Sequence, residues 1–262
     1  MTTSVAVQHY RAWDQPRIER LGGVTVVTLS YLRPDLFRRM ADALPAVSDV
    51  LVERVLVNNG GDAETHDAAE ERGWTVLEPG RNTSFAEGCN LGVAASHSTH
   101  ILLLNNDAVL DAVALAAFWA RRAHPLVGCV TVRTDGRLDH AGGGIEPGAG
   151  VPFHFAQGDD PRLIAQDRFC PWVTFAAALI HRALWDDLEG LDEAYVYSFE
   201  DLDFCLRAFE LAGVASLVAQ DARVLHDQFG TRVAGSDSAN WRRFSQAWLQ
   251  TGRLAQTMGW HK

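Results

Sequence analysis

Val24-Thr25-Val26-Val27-Thr28-Leu29 is a continuous, largely β-branched run, the composition of a strand covered on both faces in a parallel sheet. Outward from it the pattern alternates. Pro34 stands where a helix can begin, and Leu36, Phe37, Met40 and Leu44 recur at helical spacing before Pro45. Arg54–Asn58 reads as a second strand, Asp62–Arg72 as a helix and Trp74–Leu77 as a third strand. Phe85–Ser96 gives a helix, Ile101–Leu104 a strand, Asp111–Ala123 a helix and Val127–Val132 a strand. Such alternation with short connections predicts an α/β fold: a Rossmann-like, mostly parallel central sheet with helices on both faces, binding ligands beyond the carboxyl ends of its strands. The rhythm breaks over 133–171, where glycines and prolines interleave, and a long binding loop is expected there. Beyond it, Trp172–His181 reads as structured, Glu200–Ala212 as a helix ended by Gly213, and Val214–Val218 and Ala222–Leu225 as short strands. Ser238–Gln256 places Trp241, Phe244, Trp248 and Leu249 on one helical face.

The chain has 262 residues and a formal charge of −10, with 47% hydrophobic and 21% charged residues. This composition excludes disorder, collagen-like repeats and a coiled coil. The strongest apolar runs, Ile101–Leu104 and Ala112–Ala120, fall far short of the roughly 20 residues of a membrane-spanning helix. Met1–Gln15 lacks a basic patch followed by an apolar stretch, so the expected compartment is the cytoplasm. Cys89, Cys129, Cys170 and Cys205 are widely spaced with no C-x-x-C pair, and read as separate buried thiols. The acidic excess argues against a surface that tracks nucleic acid throughout. It is uneven, however: over 231–262, Arg232, Arg242, Arg243, Arg253 and Lys262 stand against Asp237 alone.

Four segments carry chemistry. In Leu102-Leu103-Leu104-Asn105-Asn106-Asp107, an apolar strand ends in three oxygen-bearing side chains at the ligand-binding rim, which suits a hard divalent cation or a plain polar turn. Glu200 and Asp201 fall in the first turn of a helix, where a carboxylate can accept a proton from an attacking hydroxyl. A structural account competes: Ser198 and Asp201 fit a capping box, and Asp203 can pair with Arg207. His226 follows a short strand and reads either as a satisfied structural histidine or as a metal ligand. Arg81-Asn82-Thr83-Ser84-Phe85-Ala86-Glu87-Gly88-Cys89-Asn90-Leu91-Gly92 opens a helix after a strand, so it can meet an anion or simply pack closely through its glycines. It is neither G-x-G-x-x-G nor a P-loop.

Taken in order, these segments resemble the family 2 inverting glycosyltransferases with a GT-A fold, over about 23–230. The correspondence runs through VTVVTLSY (24–31), NTSFAEGCNLG (82–92), LLLNND (102–107), GLDE (190–193), EDLDFCLR (200–207) and His226, and is closest to the bacterial rhamnosyltransferase-like branch. The resemblance implies a hexosyltransferase that uses Mn2+ or Mg2+ and a UDP-, dTDP- or GDP-linked sugar. Asp107 and His226 would hold the metal, and Asp201 would act as general base beside Glu200. Thr28, Ser30, Tyr31, Asn58, Asn82, Gly88, Asn90, Asn105 and Asn106 are the implied nucleotide-sugar contacts, with Trp172, Thr174 and Arg207 toward the sugar or acceptor. The acceptor hydroxyl would belong to a glycan, a lipid-linked sugar, a natural product or a modified nucleobase. The implied domains are a leader over 1–22, the GT-A domain over 23–230 with an acceptor-side loop over 133–171, and a basic, Trp-rich helical tail over 231–262.

Departures from the family pattern bear on specificity. Asn58 stands where an Asp usually helps hold the base, N-N-D carries one carboxylate rather than two, and Thr174-Phe175-Ala176 replaces a segment where Gly is common. Two other functions compete. A zinc hydrolase would need His140, His154 and His181, which lack helical i, i+4 spacing and are expected in a polar loop or on the surface. A non-catalytic protein would bind a sugar nucleotide or an anionic acceptor through the tail, whose arginines and aromatics serve either to cap the core or to dock a lipid diphosphate, a peripheral membrane surface or nucleic acid.

Overall fold

The computed structural model describes residues 21–46, 48–196, 198–226 and 237–260. Residues 1–20 of the leader expected over 1–22, and the start of the tail over 231–236, lie outside the described residues, and the last two leader positions belong to the first strand.

The first half follows the alternation read from sequence: β1 (Leu21–Ser30), α1 (Pro34–Ala43), β2 (Leu51–Asn58), α2 (Ala63–Glu70), β3 (Thr75–Leu77), α3 (Phe85–Ala94), β4 (Ser98–Leu104), β5 (Ala108–Val109), α4 (Ala112–Ala120) and β6 (Leu126–Val132). Local chemistry sets the helix starts. Pro34 opens α1, and the side chains of Asp62, Ser84 and Asp111 accept hydrogen bonds from the backbone N–H groups of Thr65, Glu87 and Ala114 at the starts of α2, α3 and α4.

The second half departs more from expectation. The segment 133–171 is not an irregular loop: it forms β7 (Leu138–His140), a hairpin of β8 (Gly143–Ile145) and β9 (Pro152–His154), a 3-10 turn (Pro161–Leu163) and β10 (Arg168–Cys170). Then follow β11 (Ala177–His181), α5 (Arg182–Asp187), α6 (Glu200–Ala212) and β12 (Ser216–His226). The two short strands expected over 214–225 are one strand with a register shift between Val218 and Arg223, because β6 supplies a continuous parallel partner. The tail is not a single helix either. It comprises α7 (Asp237–Phe244), a π-helical turn (Ser245–Leu249) and α8 (Arg253–Thr257).

The main sheet runs β10-β12-β6-β11-β4-β1-β2-β3, with β5 on β12 and β7 on β6. Its β4-β1-β2-β3 half is parallel, and antiparallel β11 joins that half to β6. Strand periodicity sorts the core into two layers. Val27, Ile101 and Leu103 face a cluster containing Cys89, Trp185, Phe204, Phe244 and Trp248. Their neighbours Val26, Leu102 and Leu104 face the opposite cluster, containing Phe37, Met40 and Phe118. The tail therefore belongs to the core: Phe244 and Trp248 are fully buried. Among the described residues, no helix is long and apolar enough to cross a membrane.

Candidate functional site

Five strands bring the first set of groups together. Asp107 sits between β4 and β5, and β5 pairs with β12 so that Ala108 lies opposite His226. Sheet register thus sets Asp107 beside His226. Next to them β7 folds back on β6, and the register shift between Thr131 and Val132 places Asp139 in an irregularity between the Thr131–His140 and Val132–Leu138 pairs. His226 Nε2 lies 3.4 Å from Asp107 Oδ1, while His226 Nδ1 lies 3.2 Å from Asp139 Oδ2. Thr131 Oγ1 donates to the same Asp139 oxygen at 3.1 Å. Asp107, Asp139 and His226 are all buried.

Burial alone would lower the His226 pKa, but the two carboxylates outweigh it and raise the imidazole to about 9. Burial pushes the Asp139 carboxyl up, and the hydrogen bond and charge of His226 more than reverse this, leaving it below its ordinary value. Asp107 Oδ1 is a buried carboxylate oxygen without a hydrogen bond, facing an imidazole nitrogen. That is an unmet need of the kind a hard cation satisfies. Among the described residues, no group of three or more His, Cys, Asp or Glu side chains is arranged to hold a metal. The pair nevertheless fits Mg2+ or Mn2+, which take few protein ligands and complete their shell with water and phosphate oxygens.

The strand ends beside this pair carry the expected nucleotide contacts. Ser30 Oγ accepts from Asn106 Nδ2 at 3.2 Å, tying β1 to the turn after β4. Thr28 Oγ1 and Asn58 Oδ1 are buried without hydrogen-bond partners. Asn58 Nδ2 donates to the Asp62 carbonyl and to Glu78 Oε1, which fixes the amide and leaves its oxygen as an acceptor. Tyr31 and Asn82 are exposed. The backbone N–H of Asn105 donates to the Ala176 carbonyl. The structure gives Gly88 and Asn90 scaffolding uses. A Cβ on Gly88 would meet Leu29 Cδ2 at 2.2 Å, and Asn90 bonds both the N–H and the carbonyl of Leu191.

At the start of α6 the N-cap falls one residue beyond Ser198. The N-cap is Phe199, in the left-handed region at φ 71°, with no side-chain cap. Ser198 Oγ instead accepts from Asn240 Nδ2, and Asp201 Oδ1 accepts from the N–H of Leu202. Glu200 is buried and Asp201 half-buried. The expected Asp203–Arg207 pair does form, at 2.7 Å, and Arg207 also donates to the carbonyls of Leu188 and Gly190. These bonds commit its guanidinium to holding α6 against the preceding loop. Trp172 is buried, with Nε1 donating to the Gly144 carbonyl.

Of the histidines expected in a polar loop or on the surface, one is inside and the other two, His154 and His181, are half-buried. His140 is fully buried, with Nδ1 2.8 Å from His154 Nδ1, and both rings pack on Trp172. The Thr174 N–H donates to His140 Nε2, so the proton of a neutral His140 sits on Nδ1 and points at His154. Burial lowers the His140 pKa to about 3. His181 caps α5 through Nδ1.

With this geometry in hand, the family model described as "Glycosyltransferase like family 2" matches residues 22–249. The chain belongs to that family. The fold of this family 2 chain is GT-A, as in several solved structures. A crystal structure of GalNAc-T7 with UDP, GalNAc and Mn2+ aligns at TM-score 0.64 and 14% identity, over 88% of this chain and 49% of that one. The mannosyltransferase PcManGT from Pyrobaculum calidifontis, in complex with GDP-Man and Mn2+, aligns at TM-score 0.57 and 16% identity, over 91% and 65%. S. aureus TarS 1–349 aligns at TM-score 0.56 and 14% identity, over 87% and 73%. The chain thus spans about half the length of the first structure and 65% of the second. No curated protein sequence matches it significantly.

In this family 2 chain, Asp139, Asn59 and Asn240 have roles beyond the candidate residues read from the sequence. Asn59 Oδ1 accepts from both the N–H and the hydroxyl of Thr83, joining the end of β2 to the loop before α3. An Asn-Asn pair ending an apolar strand was a usable signal for Asn59. Asp139 lies in a glycine-rich stretch without periodicity and gave none. Of the tail arginines, Arg243 pairs with Asp192 and Arg253 with Glu210, whereas Arg242 is exposed.

Proposed function

We propose that the protein is a metal-dependent inverting glycosyltransferase that moves a hexose from a UDP-, dTDP- or GDP-linked donor to an acceptor hydroxyl. The observation that carries this reading is the buried Asp107–His226–Asp139 arrangement at the carboxyl ends of the strands, in which Asp107 Oδ1 faces His226 Nε2 and accepts no hydrogen bond. Asp107 and His226 Nε2 would hold Mg2+ or Mn2+, and Asp139 keeps the imidazole turned by accepting the Nδ1 proton. The bound cation supplies positive charge to the departing diphosphate. Asp201 takes the proton of the acceptor hydroxyl as its oxygen attacks C1. The bond from C1 to the diphosphate oxygen breaks on the opposite face, so a single displacement inverts the anomeric centre and releases the nucleoside diphosphate.

Asn58 supports a base with an imino N–H. Its amide nitrogen is already committed, so its carbonyl oxygen can accept from uracil, thymine or guanine, whereas the corresponding ring nitrogen of cytosine carries no proton. A rhamnosyl donor accords with the sequence resemblance. The pairing of Arg243 and Arg253 within the protein disfavours a binding-only protein that works through its tail.

The test is a thermal-shift and hydrolysis screen of UDP-, dTDP- and GDP-sugars with and without Mn2+, repeated on Asp201→Asn. One donor should stabilise the fold in a metal-dependent way. Asp201→Asn should bind it equally well and lose about 10²–10⁴-fold in turnover. No metal-dependent stabilisation by any donor would overturn the reading.

A further inference from the structure

The tail enters the active-site argument by a route that its charge does not suggest. Asn240, on α7, is buried, and its side chain reads the segment before α6 on three atoms. Its Oδ1 accepts from the Val196 N–H at 3.0 Å, and its Nδ2 donates to the Val196 carbonyl at 2.5 Å and to Ser198 Oγ at 2.9 Å. The next residue of that segment, Phe199, takes a left-handed conformation that a bulky side chain adopts only when its surroundings enforce it. The enforcing groups are tail aromatics: the Phe199 ring lies 5.3 Å from Phe244 and 5.9 Å from Trp241, centroid to centroid. On the far side of Glu200 and Asp201, Trp248 Nε1 donates to Asp203 Oδ1 at 2.8 Å, and the other Asp203 oxygen holds Arg207.

The tail therefore grips the chain immediately before and immediately after Glu200-Asp201. We infer that α7, through Asn240 and the Phe244–Trp241 pair, is a clamp that fixes the left-handed turn at Phe199 and so aims the Asp201 carboxylate. Asn240 is a positioning residue acting through Asp201, so the inference rests on the reading of Asp201 as general base. One backbone dihedral at the N-cap sets the direction in which the first helical turn leaves, and with it the side chains at its first two positions. The Phe199 N-cap has no polar side chain to hold the turn, and Asn240, 44 positions from the Val196 it binds, restrains the segment that leads into it. These contacts of Asn240, Trp241, Phe244 and Trp248 involve neither Asp107 nor His226, so the clamp should govern the base without altering metal or nucleotide binding.

The experiment compares Asn240→Ala, Asp201→Asn and the double variant, using hydrolysis of the nucleotide sugar that the donor screen selects, with Mn2+. Asn240→Ala should lower kcat by about 10- to 100-fold, the scale of an ångström-sized misplacement, with donor KM and Mn2+ affinity unchanged. Hydrogen exchange should quicken at 198–203 and not across β1, β4 or β12. In the Asp201→Asn background, Asn240→Ala should add no further loss, because the group it positions is already gone. Should Asn240→Ala fold poorly, Phe199→Gly offers a second route: glycine accepts the positive φ while deleting the ring that the tail holds, and the same selective loss is expected. A wild-type kcat in both single variants, or multiplicative losses in the double variant, overturns the clamp. So does a general quickening of exchange with donor binding lost in parallel, which marks a merely structural contact. Full turnover by Asp201→Asn alone removes the base assignment itself, and that variant tells the two failures apart.

Discussion

The protonation of His226 sets two pH dependences of opposite sign. With its pKa raised from 6.5 to about 9 by Asp107 and Asp139, the metal-free protein carries an imidazolium between two buried carboxylates. At about 1.4 kcal/mol for each pH unit, the shift corresponds to about 3 kcal/mol of folding stability. Because the folded-state pKa is the higher one, that contribution is fully present below about pH 6.5, the unfolded value, and is lost as the pH rises through about 9. For a domain of this size the loss amounts to roughly 6–12 °C in melting temperature. The assay is thermal unfolding in EDTA across that window for the wild type and His226→Gln, whose neutral side chain cannot titrate. The stability advantage of the wild type should shrink by the stated amount between the two ends. Metal binding should run the other way: a cation on Nε2 must displace the proton, so the Mn2+ dissociation constant should fall about tenfold per pH unit up to about 9. A wild-type advantage that stays flat in EDTA, or Mn2+ affinity indifferent to pH, would refute the ion-triad account.

Asp139→Ala leaves the His226 Nδ1 proton without its acceptor, and should weaken Mn2+ binding by about 10–100-fold in an EPR titration; an unchanged dissociation constant would show that Asp139 does not orient the imidazole. Phe244→Ala empties a fully buried site and should cost about 3–5 kcal/mol in denaturant unfolding, and removal of 237–262 should abolish folding rather than acceptor transfer alone. A truncated chain that melts with the full-length protein would return the tail to an accessory role. Gly143→Ala would set a methyl group 2.0–2.4 Å from the rigid, buried Trp172 ring, and should destabilise by about 1–3 kcal/mol; an unmoved unfolding midpoint contradicts that packing.

Much of the fold is legible in the sequence because its elements are written locally. The β-branched run at 24–29 and the apolar run at 101–104 can only be buried strands, and their alternate residues do divide between the two core layers. Helix starts are equally local, since Asp62, Ser84 and Asp111 cap with their own side chains. Asp107 and His226 are visible for the same reason: each is a polar residue at the end of an apolar strand. Asp139 is not visible, because its partner lies 87 residues away and its strand owes its existence to pairing with β6. The segment 133–171 looks irregular because its short strands are held by tertiary hydrogen bonds rather than by periodicity.

The capping box at Ser198 and Asp201 marks where local reasoning meets its limit. The residues are present, but the N-cap is Phe199, left-handed and packed against the tail aromatics, and Ser198 Oγ accepts from Asn240 in the tail. The sequence by itself determined the α/β alternation, the sheet's two buried faces and the strand-end acids, because each follows from spacing within a few residues. Only the tertiary structure decided that Asp139 backs His226, that His140 is buried against Trp172 with His154 half-buried beside it, and that the tail packs Phe244 and Trp248 into the core. Those outcomes depend on which distant groups desolvate together, and a buried charge or amide accepts whichever partner the packing brings within hydrogen-bonding distance.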